Sequence, residues 1–169
     1  MSRVYFSLGT NLENKNANLL RATDLIAEKI GTVSAISSVY ETKPWGFESE
    51  NNFLNRMLCV ETALSPDEVL TVTQAIERTV GRRRKTTNHS YHDRLIDIDV
   101  IAYDNLILQS ENLQLPHPLF HKRLFVLEPF NEIAPDFVHP VLNKKVKELL
   151  EELGVESPHK NGRIYQNHF

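Results

Sequence analysis

Between Arg3 and Leu8, apolar Val4, Phe6 and Leu8 alternate with Arg3, Tyr5 and Ser7, the period of a strand with one buried face. Gly9-Thr10-Asn11 supplies the turn chemistry expected to end it. From about Lys15 to Ile30 the spacing becomes helical, with Leu19, Ala22, Ile26 and Ile30 as the apolar stripe and Gly31 placed for a C-terminal cap. A second strand is expected from Val33 to Tyr40, then a polar loop from Glu41 to Asn52. Phe53 to Thr62 reads as a third strand: Phe53, Asn55, Met57 and Cys59 share one face, and Leu54, Arg56, Leu58 and Val60 the other. Ser65-Pro66-Asp67-Glu68 starts a helix with a serine cap, a proline in the first turn and a glutamate three residues after the serine. Val69, Val72, Thr73, Ile76 and Val80 form its buried stripe, Leu70, Gln74 and Glu77 a neighbouring face, and Gly81 ends it.

The pattern tightens again at Arg94-Leu95-Ile96-Asp97-Ile98-Asp99-Val100-Ile101. Apolar and β-branched residues predict a strand, with Ile96, Ile98 and Val100 on one face and Asp97 and Asp99 together on the other, their Cα atoms roughly 6.5–7 Å apart. Val100 to Tyr103 is apolar on both sides, so the strand enters the core and leaves the acids at its mouth. Asp104-Asn105 is a turn signal, and Leu106-Ile107-Leu108 is expected as a short strand hairpinned to the one before. Pro129 and Pro135 should limit the following helices to short pieces. A last helix is expected from about Asn143 to Leu153, with Val146, Leu149, Leu150 and Leu153 inward and Gly154 beyond. Val155 to Phe169 is polar and expected to pack loosely.

Composition narrows the class. With 169 residues, 41% of them hydrophobic, the chain can build one globular domain with a sizeable core. A net charge of −3 provides no global basic field for nucleic acid or anionic membrane. Cys59, the single cysteine, lies in an apolar strand and is expected as a buried small hydrophobe. No apolar run reaches a membrane span, and the N-terminus opens directly into a strand rather than a signal peptide, so a cytoplasmic protein is the expectation.

Two like charges about 6 Å apart repel by roughly 2–3 kcal/mol at an effective dielectric near 20. Asp97 and Asp99 could tolerate this on a solvated edge, or they could hold a hard divalent cation, since Mg²⁺ is bound by one or two carboxylates plus substrate phosphates. Arg94 beside them favours the metal–phosphate reading. Arg82-Arg83-Arg84-Lys85, just past a helix end, reads as a solvated cap, or as a nuclear-localisation signal, although four basic residues are common by chance. Thr86 to Asp93 is polar and expected to be a mobile loop joining these cations to the aspartates. Trp45, the only tryptophan, folds back onto the core or walls a pocket for a flat ligand. Phe53 followed two positions later by Asn55 suits a core ring and a backbone-bonded amide, or stacking on a heterocycle and reading its edge. Six widely spaced glycines exclude the Gly-rich phosphate loops, and no His-Glu-x-x-His or cysteine cluster supports zinc at His89 to Asp93.

In their order and spacing several fragments resemble the 6-hydroxymethyl-7,8-dihydropterin pyrophosphokinase family of folate biosynthesis. They are Gly9-Thr10-Asn11, Tyr40-Glu41-Thr42-Lys43-Pro44, Phe53-Leu54-Asn55, Glu77-Arg78-Thr79-Val80-Gly81-Arg82, Arg94 to Asp99, Pro116-His117 and Glu132-Ile133-Ala134-Pro135. The resemblance implies a ferredoxin-like α/β sandwich with an antiparallel sheet. It also implies transfer of the β,γ-pyrophosphoryl unit of ATP to the pterin hydroxymethyl oxygen, leaving AMP. Carried onto this chain, it implies Asp97 and Asp99 as ligands of two Mg²⁺ ions and Arg84 and Arg94 as clamps on the ATP phosphates. Arg82 would lie nearby, and His117 and Arg123 would add contacts from the far wall. Leu70, Gln74, Glu77 and Val100 match positions around the nucleotide. The pterin would stack between Phe53 and Phe125, with Thr42, Asn55 and the backbone around Pro44 and Trp45 reading its edge. The partners implied are these small molecules only, bound by a monomer.

The chain departs from the family's pattern twice. Where an aromatic-Gly-Pro-Arg run is usual it has Tyr91-His92-Asp93-Arg94, which leaves Tyr91 as the candidate aromatic, and Pro118 replaces the aromatic common after Pro-His. Two other classes compete on the residues alone: a non-catalytic RNA-binding module, against which the acidic balance and the aspartates speak, and a Mg²⁺-dependent nucleotide enzyme with another acceptor.

Overall fold

The computed structural model describes residues 1–42, 52–81 and 95–154. In chain order these form β1 (Ser2–Thr10), α1 (Lys15–Lys29), β2 (Gly31–Ile36), β3 (Tyr40–Thr42), β4 (Phe53–Thr62), α2 (Pro66–Gly81), β5 (Asp97–Tyr103), β6 (Leu108–Gln109), β7 (Gln114–Leu115), α3 (Leu124–Ile133) and α4 (Val146–Glu152). The main sheet runs β2-β4-β1-β5, with β3 also paired to β4, and every pairing is antiparallel. With β2 and β3 taken as one interrupted strand, this is the ferredoxin-like order, two βαβ halves interleaved so that β1 and β4 occupy the centre.

Two apolar layers cover the sheet. Val4, Phe6, Leu8, Leu54, Leu58, Val60, Ile98 and Val100 face α1 and α2, packing with Leu19, Ala22, Ile26, Val69, Ile76 and Val80. The opposite face carries Tyr5, Met57, Cys59 and Ile101 against Phe120, Val126, Leu127 and Phe130 of the α3 side, with Val146 and Leu149 of α4. The expected one-sided burial of β1 is therefore corrected: it is the central strand, and Tyr5 and Ser7 are as enclosed as their neighbours. The Phe53–Thr62 strand and its two faces are as expected, and Cys59 is buried and free.

Several local expectations are also corrected. Gly31 does not cap α1 but begins β2, where an added Cβ would lie 2.0 Å from the Glu61 carbonyl oxygen. It is there to let β2 approach β4. The strand expected from Val33 to Tyr40 is divided into β2 and β3, both on β4. Leu106 and Ile107 are exposed, and β6 pairs with β7 rather than with β5. Pro129 lies inside α3, whose burial of Val126, Leu127 and Phe130 outweighs the missing backbone donor. The last helix starts at Val146, three residues late, with the Lys145 N–H donating to Glu148 Oε1 at 3.0 Å; Gly154 beyond it takes φ of 73°.

The α2 start is as the sequence predicts: Glu68 N–H donates to Ser65 Oγ at 3.2 Å, and Ser65 N–H to Glu68 Oε1 at 3.0 Å.

Candidate active site

The sheet register builds the site. Gly9 of β1 stands opposite Asn55 on one side and Asp97 on the other, and Ser7 stands opposite Met57 and Asp99. Residues directly opposite share a face, so Asn55, Gly9 and Asp97 form one rung on the α3 side, with Asp99 in the next rung. Neighbouring strands are about 4.8 Å apart, which puts the amide and the carboxylate roughly 10 Å apart across a residue with no side chain. A Cβ on Gly9 would stand 3.3 Å from Asn55 Oδ1 and 3.9 Å from the Phe53 ring. The glycine keeps the floor between them open.

Asn55 is buried, and its Nδ2 donates to Thr42 Oγ1 at 2.8 Å. That bond directs Nδ2 toward β3 and leaves Oδ1 toward Gly9. Phe53 lies in register with Thr42 on the same face. Phe125, half-buried near the start of α3, carries the Arg123 guanidinium 5.7 Å from its ring centroid.

At the outer edge of β5, Ile98 N–H donates to Glu77 Oε2 at 2.8 Å. Burial pushes the Glu77 carboxyl up to about 7; the Ile98 N–H opposes this, and the nearby Asp97 and Asp99 add to it. Asp97 and Asp99 are thus near enough to act on the Glu77 carboxyl where α2 meets β5. His117 adjoins the same ground: its N–H donates to the Ile101 carbonyl at 2.8 Å, and its Nδ1 accepts from Leu119 N–H at 3.2 Å. Burial, helped by the Arg123 charge and partly offset by Asp97, lowers the imidazole to about 4. A neutral ring with Nδ1 engaged presents Nε2–H as a donor.

The fold therefore gathers Thr42, Phe53, Asn55, Asp97, Asp99, Glu77, His117 and Arg123 at one end of the sheet, with Phe125 under Arg123. Leu70 and Gln74 lie on α2 at helical spacing from Glu77, Leu70 partly buried and Gln74 exposed. Val100 is 6% exposed and packs into the α1–α2 core, so its side chain is not open to a ligand. Pro44, Trp45, Arg82, Arg84, Tyr91 and Arg94, and with them the loop Thr86 to Asp93 and the tail Val155 to Phe169, lie outside the described residues. The sequence reading missed Gly9 as a site residue. Its signal was a glycine directly after the apolar alternation of β1, which reads equally well as a turn.

Among the described residues no group of three His, Cys, Asp or Glu side chains is close enough to hold a metal ion. Two oxygen donors on one face do fit Mg²⁺, which takes its remaining ligands from phosphates and water. A separate polar cleft of about 310 Å³, lined by Met1, Arg3, Tyr5, Glu61 and Asp104, opens at the far end of β1 and shares none of these residues.

An antiparallel ferredoxin-like sandwich with paired carboxylates at one end of a central rung, and an oriented amide at the other, defines an α/β protein with a polar site at one end of its sheet. A family model described as 7,8-dihydro-6-hydroxymethylpterin-pyrophosphokinase matches residues 5–135, and the chain belongs to that family. A Porphyromonas gingivalis protein named 2-amino-4-hydroxy-6-hydroxymethyldihydropteridine pyrophosphokinase is 42% identical over 141 residues, which cover 83% of this chain and 95% of that one. One of the same name from Aquifex aeolicus is 37% identical over 152 residues, covering 90% and 92%. Among solved structures, a Plasmodium falciparum HPPK-DHPS chain superposes with a TM-score of 0.74 at 16% identity, covering 98% of this chain. This chain spans 47% of that longer one, and the likeness shows the shared fold.

Proposed function

We infer that this protein transfers the pyrophosphoryl group of ATP to 6-hydroxymethyl-7,8-dihydropterin, giving the pterin diphosphate and AMP in folate biosynthesis. The observation that carries the reading is the rung Asn55–Gly9–Asp97. It supports the reading because Asn55 and Asp97, the proposed ring-edge reader and phosphate-side carboxylate, stand about one ligand width apart with Gly9 as the residue between them in the sheet. In this reading the pterin stacks between Phe53 and Phe125. Its edge donates to Asn55 Oδ1, and Thr42 holds the amide in that orientation. By the family resemblance we extend the same role to the backbone around Pro44 and Trp45, which lies outside the described residues.

By the family resemblance Asp97 and Asp99 would hold two Mg²⁺ ions, and these would supply charge neutralisation at the ATP phosphates. His117 Nε2–H and Arg123 donate to the phosphates from the α3 side; by the family resemblance Arg82, Arg84, Tyr91 and Arg94, which lie outside the described residues, are assigned to the same ATP. Leu70, Gln74 and Glu77 border the nucleotide from α2, and Val100 can border it only through its main chain. No covalent nucleophile is required: the residues hold the pterin oxygen in line with the β-phosphorus and balance developing charge. We further propose that one domain, acting as a cytoplasmic monomer, suffices for the reaction.

The test is to incubate the protein with ATP, Mg²⁺ and hydroxymethyldihydropterin and to separate the products. Stoichiometric AMP and pterin diphosphate are expected. Formation of ADP with a pterin monophosphate, or no pterin-dependent consumption of ATP, would overturn the reading.

A further inference from the structure

Two stretches of the family pattern, Tyr40-Glu41-Thr42 and Glu132-Ile133-Ala134-Pro135, leave Tyr40 and Glu132 without a role in the reading above, and the fold brings these two into contact. Glu132 stands in the last turn of α3, a turn without a basic residue, where a carboxylate opposes the helix dipole. Both its oxygens are engaged. Oε1 accepts from the Tyr40 hydroxyl at 2.6 Å, and Oε2 accepts from the Ser38 N–H at 2.8 Å and the Ser38 hydroxyl at 3.1 Å. Burial lowers the pKa of Arg56, whose Nε donates to the Ser37 carbonyl at 3.1 Å, and the nearby Glu132 charge partly offsets this.

What this carboxylate holds is β3. That strand has three residues and, among the described residues, pairs only with β4. So short a ladder leaves its position dependent on other contacts. Tyr40 is in register with Asn55, and Thr42 with Phe53, so all four residues share the site's face. Thr42 Oγ1 then takes the Asn55 Nδ2 bond that sends Oδ1 toward Gly9. On α3, Phe125 and Glu132 are seven residues apart, two turns along one side of the helix. One helix thus carries the stacking ring at one end and grips the strand behind the amide at the other.

We propose that Tyr40 and Glu132 are positioning residues for the pterin: they clamp β3 to α3 so that Thr42 holds the Asn55 amide with its oxygen toward the substrate. The inference rests on the pterin reading of Asn55 given above.

Tyr40→Phe, Glu132→Gln and Glu132→Ala, each alone and with Asn55→Ala, would be titrated calorimetrically with hydroxymethylpterin and separately with a non-hydrolysable ATP analogue plus Mg²⁺. Pterin binding should weaken about five- to tenfold in Tyr40→Phe and Glu132→Ala, and less in Glu132→Gln, which keeps an acceptor oxygen. The pterin KM should rise in step, with kcat and analogue affinity within about twofold of wild type. In the Asn55→Ala background Glu132→Ala should add no further loss, because the clamp acts through that amide. Equal losses for both ligands, or full additivity with Asn55→Ala, would mean that the contact only supports the fold and would overturn the clamp. Wild-type protein that binds pterin alongside unaffected variants sinks the clamp alone; wild-type protein that does not bind pterin sinks the clamp and the proposed function together.

Discussion

Asp97 and Asp99 lie side by side on one strand, where like charges repel. Neither belongs to the apolar core, so replacing either by alanine leaves that packing intact. Asp97→Ala and Asp99→Ala should therefore lower turnover at least about a hundredfold while leaving the urea midpoint unchanged or slightly higher. Steady-state assay and denaturation of the same preparations would check both. Glu77 gives a second consequence of the crowding. Its carboxyl titrates at 4.5 in the ordinary case and at about 7 in the folded chain, so between those values the folded state keeps a proton that the unfolded chain has lost. The associated stability is fully present below pH 4.5 and is lost as the pH rises through about 7. For a partly exposed, screened group this amounts to about 1–2 kcal/mol. Urea melts between pH 5 and pH 8 in metal-free buffer should show the decline in wild type, and Glu77→Gln should flatten it.

At the scale of elements, close approach decides more than intrinsic preference does. Gly31 admits β2 to β4 because any Cβ would run into the Glu61 backbone, which cannot swing away as a side chain could. Gly31→Ala should cost about 2–4 kcal/mol, read as a lower denaturant midpoint with an unchanged slope. Gly81→Ala, where a Cβ would meet nothing within 4 Å among the described residues, is the control and should be neutral or mildly stabilising. The Ser65 cap is a smaller and purely local matter: Ser65→Ala should cost about 1 kcal/mol, measurable in the same melts. α3 shows the opposite balance, since a proline within it is tolerated where three neighbouring side chains are fully enclosed.

For the molecule as a whole, the proposed pterin pocket has one wall on the sheet and one on the layer covering it. Phe53 and Asn55 come from β4 and Phe125 from α3, so the bound ligand would bridge two layers that otherwise meet through apolar packing and the Glu132 contacts to Ser38 and Tyr40. A ligand at about a hundred times its Kd adds roughly 2.7 kcal/mol to stability. Saturating pterin should raise the thermal midpoint of wild type accordingly. Phe125→Ala should abolish most of that rise while preserving the rise caused by ATP analogue and Mg²⁺. Calorimetric scans with each ligand would show it; equal loss of both rises would place Phe125 in the core rather than in the pocket.

Much of this was written in the sequence because it is local. The ten-residue alternation of β4, the serine–glutamate cap of α2 and the apolar stripes of α1 and α2 each follow from neighbours within a few positions, where backbone geometry alone sets which side chains meet. The pairing of Asp97 with Asp99 is of this kind. What the sequence could not decide depends on who lies across the sheet. The same alternation in β1 suits an edge or a centre, and only the second layer of α3 and α4 made both its faces interior. Gly31 reads as a cap until β4 is seen to press against it, and Gly9 reads as a turn until Asn55 and Asp97 flank it. Tyr40 and Glu132 are separated by 92 positions in the chain and joined by one hydrogen bond. Register and layering are properties of contacts between distant segments, and a glycine's missing side chain acquires its meaning only from what occupies the neighbouring strands.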